Sequence, residues 1–202
     1  MKLILLRHEE RDLSEPYFFT PLNEKGKLNS ESKYFLQKIM LLKPDIIFCS
    51  PFERCIQTIC KYCVIEKKNI NIEYCLYEYI INNKFINEKI YNNKLIKNIY
   101  KPIINNNYIS VLNPKDFKFG NNNIIIRKEL KSDLYFRISL FLNKIINKYL
   151  DTNNTILLVT HAGVISEIEI YLNKIFLNFL IINRDIKMGD IREYNLKDYN
   201  IL

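Results

Sequence analysis

Two apolar runs in this chain each stop at a histidine. Lys2-Leu3-Ile4-Leu5-Leu6 ends in Arg7-His8-Glu9, and Thr155-Ile156-Leu157-Leu158-Val159 ends in Thr160-His161-Ala162-Gly163. Continuous apolar runs of this length, closed by polar residues, read as strands buried on both faces of a sheet. Asp45-Ile46-Ile47-Phe48-Cys49 reads the same way, and shorter strands are expected over 70–74 and 191–196. Helical patterns lie between them. Asn23 is placed to cap a helix running to about Leu42, with Leu28, Phe35 and Ile39 toward the sheet and with Gly26 and Asn29 weakening its first turns. Ser50-Pro51 is expected to open a helix reaching about Ile65, Ser50 as N-cap and Pro51 at the first helical position. Leu130, Leu134, Ile138, Phe141, Ile145 and Tyr149 recur at helical spacing across 129–150, and a further helix is expected from Gly163 to about Phe176. Alternating buried strands and helices predict a three-layer α/β/α sandwich around a mostly parallel sheet.

Ligands of open α/β sheets sit just outside the carboxyl ends of the strands. That rule puts Arg7, His8 and His161 at the rim of a site. Either histidine alone is equally compatible with an ordinary strand-end residue satisfied by a backbone carbonyl. The chain has only two, and both occupy the same kind of position. Ser50-Pro51-Phe52-Glu53-Arg54 adds an arginine on the first turn of a helix after a third strand. Helix starts carry unpaired N–H groups and a positive dipole end, and a guanidinium fork there suits a phosphate.

Composition narrows the class. At 202 residues the chain has the length of one domain with room for an insertion. The opening apolar run is too short for a secretory signal, and Lys and Asn interrupt every apolar stretch well before about 18 residues, so a cytoplasmic protein without a membrane association is expected. Five cysteines (Cys49, Cys55, Cys60, Cys63, Cys75) are an odd number on elements that read as buried, and are expected to be reduced thiols. Cys60 and Cys63 have the spacing of a zinc half-site, but no second cysteine pair and no third histidine accompany them. Charge is uneven. From Tyr79 to Lys128 nine basic residues face two acids, an excess of +7 in a chain whose net charge is +8. This Asn/Lys/Ile-rich stretch, expected to hold a helix over 88–99, reads either as a compositionally biased insertion or as a basic cap that steers an anionic substrate. It has no recognisable RNA-binding motif, so nucleic acid is not an expected partner.

Four segments together resemble the signatures of the histidine phosphatase superfamily, which includes the phosphoglycerate mutases: Leu6-Arg7-His8, Pro21-Leu22-Asn23-Glu24-Lys25-Gly26, Ser50-Pro51-x-x-Arg54-x-x-Gln57-Thr58 and Thr160-His161-Ala162-Gly163. They come in the family's order and spacing. The resemblance implies a phosphoglycerate mutase-like fold and a metal-independent phosphatase, without cofactor, that hydrolyses a phosphomonoester through a phosphohistidine on His8. It implies that Arg7 and Arg54 bind the phosphoryl group, that His161 completes the pocket, and that Glu78, in the place of the family's acid after Leu76-Tyr77, protonates the leaving oxygen. Glu73 is the rival for that role. The implied substrate is a small phosphorylated anion or a phosphoprotein.

Three departures matter. Glu9 stands where the family usually has glycine and brings a negative side chain to the pocket edge; Glu9→Gly is therefore expected to raise turnover. Arg11 resembles the Arg-His-Gly-Glu-Arg variant of some phosphatase branches, which implies a third phosphate ligand. The Trp-x-Gly segment often found after the acid is absent, since the chain contains no Trp. A phosphoglycerate mutase and a catalytically weak phospholigand-binding relative stay open as alternatives.

Overall fold

Leu3, Ile4, Leu5 and Leu6 are all fully buried, as a strand with both faces covered requires. In this computed structural model, which describes residues 1–13, 20–79, 100–112, 119–120, 123–124, 129–179 and 185–200, they form β1 (Lys2–Arg7). The following elements are α1 (Glu24–Glu31), α2 (Lys33–Leu42), β2 (Ile46–Cys49), α3 (Glu53–Ile65) and β3 (Ile70–Ile72). A two-residue hairpin of β4 (Phe119–Gly120) and β5 (Asn123–Ile124) precedes α4 (Lys131–Tyr149), β6 (Thr155–Thr160), α5 (Ala162–Ile175) and β7 (Ile191–Asn195). The main sheet has the order β3-β2-β6-β1-β7, parallel except for β7, which runs antiparallel to β1.

Alternation along each strand divides the core in two. Leu3, Leu5, Phe48, Ile156 and Leu158 pack with Leu134, Ile138, Phe141, Ile145, Ile165 and Ile168 of α4 and α5. Ile4, Leu6, Ile47, Cys49, Leu157 and Val159 pack with Phe35 and Ile39 of α2 and Cys55, Ile56 and Ile59 of α3. The result is the three-layer α/β/α sandwich. Burying each such aliphatic side chain stabilises the fold by about 1.5–3 kcal/mol. The registers Arg7 opposite Thr160 and Cys49 opposite Val159 bring the carboxyl ends of β1, β6 and β2 to one edge.

Several local expectations are corrected. The helix from Asn23 is two helices, because Ser32 leaves the helical region (φ −64°, ψ 145°) and its hydroxyl accepts from Phe35 N–H, starting α2 afresh. That break turns α1 so that Leu28 is 72% exposed while Gly26 and Ser30 face inward. Gly26 is no weak point: a Cβ there would lie 2.0 Å from the Glu10 carbonyl oxygen, so only glycine lets α1 press against the backbone that follows β1. Ser50 does not cap α3. The helix begins at Glu53 after Phe52, and the Ser50 hydroxyl is engaged elsewhere. Leu130 is 61% exposed at the start of α4 instead of joining the core. Cys60 and Cys63 lie one turn apart on α3, unpaired, with Cys63 in the core. Most of the basic segment 79–128, and the whole helix expected over 88–99, lie outside the described residues. Among those described, no helix is long and apolar enough to cross a membrane.

Candidate active site

His8 leaves the end of β1 with its N–H donated to the Thr160 carbonyl at 3.0 Å, which ties the first histidine to the strand bearing the second. Its Nδ1 lies 2.7 Å from the carbonyl of Glu9. A carbonyl only accepts, so Nδ1 carries the proton and Nε2 is the unprotonated nitrogen. Burial, reinforced by the charge of Arg54 and by His161, holds the His8 pKa well below the ordinary value, and the ring is neutral at physiological pH.

His161 caps α5 and is fully buried beside His8, edge to face with ring centroids 5.2 Å apart. Burial lowers its pKa to about 4; Glu78 opposes that shift and Arg54 adds to it. Arg54 Nη2 stands 3.2 Å from His161 Nδ1, and guanidinium can only donate, so neutral His161 accepts at Nδ1 and presents its Nε2 proton to Ser50 Oγ at 2.9 Å. Arg54 itself is buried. Burial brings its pKa down to about 10, with Glu78 pushing back, so it remains a cation. The Phe52 ring covers it at 4.8 Å and stands 5.1 Å from the His161 ring.

Glu78 closes the cluster. Its Oε2 lies 3.5 Å from Arg54 Nη2 and 3.3 Å from His161 Nδ1, while Oε1 accepts from Tyr79 N–H at 3.0 Å. The side chain is 24% exposed, the one member of the cluster open to water. Burial favours the protonated acid, but His161, Arg54 and His8 together outweigh it and hold the carboxyl far below the usual carboxylate range. Gly163, on the first turn of α5, keeps this approach open: a Cβ there would meet Tyr79 Cβ at 3.3 Å and Glu78 Oε1 at 3.7 Å.

Arg7 donates to the Ile186 carbonyl, and its Nε is buried with no hydrogen-bond partner among the described residues. Leaving such a donor unmet costs about 1–3 kcal/mol, so it marks a place for an acceptor. Arg11 forms a bridge with Leu22 and donates to Thr20 Oγ1 at 2.9 Å; its charge adds to the lowering of the Arg7 and Arg54 pKa values. Glu73, the rival acid, is fully buried away from this cluster and accepts from Cys75, Tyr108, Ser110 and Val111.

Glu9 is the clearest surprise. Its carboxylate does not enter the pocket; it is buried against Asn29 Nδ2 at 3.4 Å and against Gly189, where a Cβ would lie 2.3 Å from Oε1. Gly189 has φ +74°, and its N–H donates to the His8 carbonyl at 3.2 Å, so glycine is needed there on both counts. Glu9 thus braces the backbone behind His8. Glu9→Gly is accordingly expected to leave kcat/KM within about 2-fold and to lower stability by about 1 kcal/mol through the flexibility of glycine. Kinetics on a generic aryl phosphate and urea unfolding check this; a several-fold rise in kcat/KM would restore the carboxylate to the pocket.

Sequence reasoning overlooked the supports. Thr58 Oγ1 accepts from Glu9 N–H at 3.0 Å and donates to the Arg54 carbonyl at 2.7 Å, while Gln57 Oε1 accepts from Leu22 N–H at 2.8 Å. Both belong to the Arg-x-x-Gln-Thr segment, whose spacing along α3 was the available signal. Ser50 stands in the same signature but reads as a helix cap, and Phe52 had no signal.

His8, Glu78 and His161 each offer a metal-ligating atom, and these lie within 4.8 Å of one another. Their surroundings do not favour a metal ion. The Arg54 guanidinium already faces the same His161 Nδ1 and Glu78 Oε2, and a second cation beside it would meet repulsion in a buried setting. An anion over Arg7 and Arg54 is attracted by two guanidinium groups and opposed by the Glu78 carboxylate.

No family model matches the chain, and no curated protein matches it. Solved structures do. The ecdysone phosphate phosphatase of Bombix mori, in complex with tungstate, superposes with a TM-score of 0.70 at 12% identity, covering 100% of this chain and 91% of that one. The mycobacterial glucosyl-3-phosphoglycerate phosphatase gives 0.63 at 15% identity, covering 100% and 95%. A phosphoserine phosphatase variant from Entamoeba histolytica, in complex with phosphoserine, gives 0.57 at 15% identity, covering 95% and 89%. At these identities the likeness establishes a shared fold.

Proposed function

We propose that this chain, which has the fold of the histidine phosphatase superfamily, is a metal-independent phosphatase that hydrolyses a phosphomonoester through a phosphohistidine on His8. The observation that carries the reading is the neutral His8, its Nδ1 proton committed to the Glu9 carbonyl, beside a buried guanidinium and a carboxylate. The three solved neighbours, all phosphatases by name, support the same reaction class.

In the first step the Nε2 lone pair of His8 attacks phosphorus, the bond from phosphorus to the ester oxygen breaks, and Glu78 gives that oxygen its proton. Charge on the equatorial oxygens is met by Arg7, Arg54 and Arg11, and His161 walls the pocket while its Nδ1 accepts from Arg54. In the second step water attacks the phosphohistidine, Glu78 takes its proton, and the P–N bond breaks to release phosphate and restore neutral His8. Glu78 is ionised in the empty site, so the proton for the leaving group arrives with the substrate: a phosphate monoanion delivers it, and the remaining dianion offsets the cations that had held Glu78 ionised. The substrate is a small phosphorylated anion or a phosphoprotein segment. Five free thiols support a cytoplasmic setting.

The test is rapid quenching of turnover of an aryl phosphate with EDTA present. Acid-labile, base-stable phosphate on His8 is the expected result. Turnover that chelation abolishes and added metal restores overturns the metal-independent route. Folded protein with neither turnover nor phosphoenzyme, yet binding phosphate, points instead to a phospholigand-binding relative. Isomerisation of monophosphoglycerates primed by a bisphosphate would identify a mutase.

A further inference from the structure

Glu73 is a fully buried carboxylate that the chemistry above does not use. Its Oε1 accepts from Cys75 N–H at 2.9 Å and from Ser110 Oγ at 2.6 Å, and its Oε2 accepts from Val111 N–H at 3.1 Å and from Tyr108 Oη. Burial and the neighbouring Glu73 push the Tyr108 phenol up, so it stays protonated as the donor. Ser110 Oγ in turn accepts from Tyr74 N–H at 2.9 Å. Four donors for one buried carboxylate make a satisfied hub, and a half-satisfied one would be costly.

The position of the hub gives it a role. Glu73 N–H donates to the Cys49 carbonyl at 2.9 Å, fastening the hub to the end of β2. Residues 74–76 form one tight turn, with Leu76 N–H returning to the Glu73 carbonyl at 3.1 Å, and Glu78 follows two residues later. The far side of this turn is held by the Leu76 carbonyl, which accepts from Thr160 Oγ1 at 2.7 Å, and by the Cys75 carbonyl, which accepts from Arg137. Arg137 is paired with Glu129 at 2.6 Å and lies 3.6 Å over the Tyr77 ring. Tyr108, Ser110 and Val111 come from the chain returning after residue 99. That return also extends the sheet edge: Ile104 bridges Ile70, and Asn105 Nδ2 donates to Asn71 Oδ1 at 2.8 Å. Among the described residues, the Glu73 hub joins segment 108–111 to the turn that bears the acid through a buried charge.

We propose that Glu73 is a positioning residue for the general acid: its carboxylate pins segment 108–111 to the turn at 74–76 and so holds Glu78 Oε2 against Arg54 and His161. This rests on the phosphatase reading above. Loosening the hub leaves His8 and the arginines in place but lets Glu78 leave the line of the departing oxygen. A displaced general acid affects poor leaving groups far more than good ones, because a good leaving group departs without a proton.

The experiment compares kcat/KM for 4-nitrophenyl phosphate and for a simple alkyl phosphate in the wild type and in Glu73→Gln, Ser110→Ala, Tyr108→Phe and Glu78→Gln. The expected result is a loss on the alkyl ester of about 10- to 100-fold for the hub variants, the scale typical of outer-shell support, against no more than about 3-fold on the nitrophenyl ester. Combining Ser110→Ala with Glu78→Gln is expected to add nothing further on the alkyl ester, since both act through one carboxylate. Equal losses on the two substrates, or losses that multiply with Glu78→Gln, overturn the proposal. Ser110→Ala and Tyr108→Phe each remove one donor and keep the carboxylate, so a Glu73→Gln variant that fails to fold does not decide the outcome. A wild type inactive on both esters overturns the phosphatase reading itself, and a wild type active on both with hub variants unchanged overturns the positioning role alone.

Discussion

His8→Ala is expected to lower kcat/KM by about 10,000-fold or more and to abolish the phosphoenzyme, the scale seen when a covalent nucleophile is removed. The residue has no substitute in place. His161 commits Nε2 to Ser50 and Nδ1 to Arg54, and its pKa near 4 leaves it neutral but occupied. The five cysteines are free, but burial raises Cys55 to about 12, so the thiol next to His161 is not a thiolate at working pH. The fold should survive the change, because among the described residues the His8 side chain makes one hydrogen bond, and that to its neighbour's carbonyl. Phosphate binding through Arg7 and Arg54 should survive as well. The measurements are kcat/KM, acid-labile phosphate and the Kd for inorganic phosphate. A His8→Ala protein that keeps even a tenth of wild-type activity would remove His8 from the chemistry.

Glu78→Gln is expected to cost about 100- to 10,000-fold on an alkyl phosphate, the range for a lost general acid. Its pH signature separates it from a binding defect. The sign follows from the shifted groups. His8 must be neutral, and because its pKa is depressed, activity falls only where acid protonates it, well below the ordinary histidine range. Glu78 is ionised in the empty site, so the productive pair is Glu78 carboxylate with substrate monoanion, and activity falls as pH rises through the substrate's second pKa near about 6. The wild-type profile of kcat/KM should therefore be a bell leaning to acid pH. In Glu78→Gln no carboxylate receives the substrate proton, and the alkaline limb should flatten. A variant with unchanged profile and raised KM only would make Glu78 a binding group.

The departure at Glu9 shows how a motif mismatch can be judged only in three dimensions. In one dimension a charged residue after the nucleophile looks like damage to the site. In the structure its carboxylate lies between Asn29 of α1 and the turn at Gly189, residues distant in sequence that bracket the backbone of His8. Glu73 and Glu78 make the complementary case. Five positions apart, both follow β2 and α3 on the way out of the sheet, and in the sequence it is the family resemblance that favours Glu78. What separates them is that Tyr108, Ser110 and Val111 fold back onto Glu73 and enclose it, while Glu78 stays 24% exposed beside Arg54 and His161.

By itself the sequence determined the elements whose burial is two-sided or periodic. The runs 2–6, 45–49 and 155–159 read as interior strands by their length and polar closure, and Leu134, Ile138, Phe141 and Ile145 recur at the spacing of one helical face, because hydrophobic burial acts on local pattern. It likewise placed His8 and His161 at strand ends and Arg54 on the first turn of the helix after a strand, at the edge where such folds put their ligands. The rest was decided in the folded structure. Ser32 divides one expected helix because its hydroxyl satisfies Phe35 N–H, and the turned α1 buries Gly26 in place of Leu28. Ser50 leaves its expected cap to meet His161, 111 residues away. The Ser32 bond is local, and what the pattern left undecided was its competition with a continuous helix; the close approach of Gly26 to Glu10 and the Ser50–His161 bond need partners from elsewhere in the chain, which only the assembled sheet brings together.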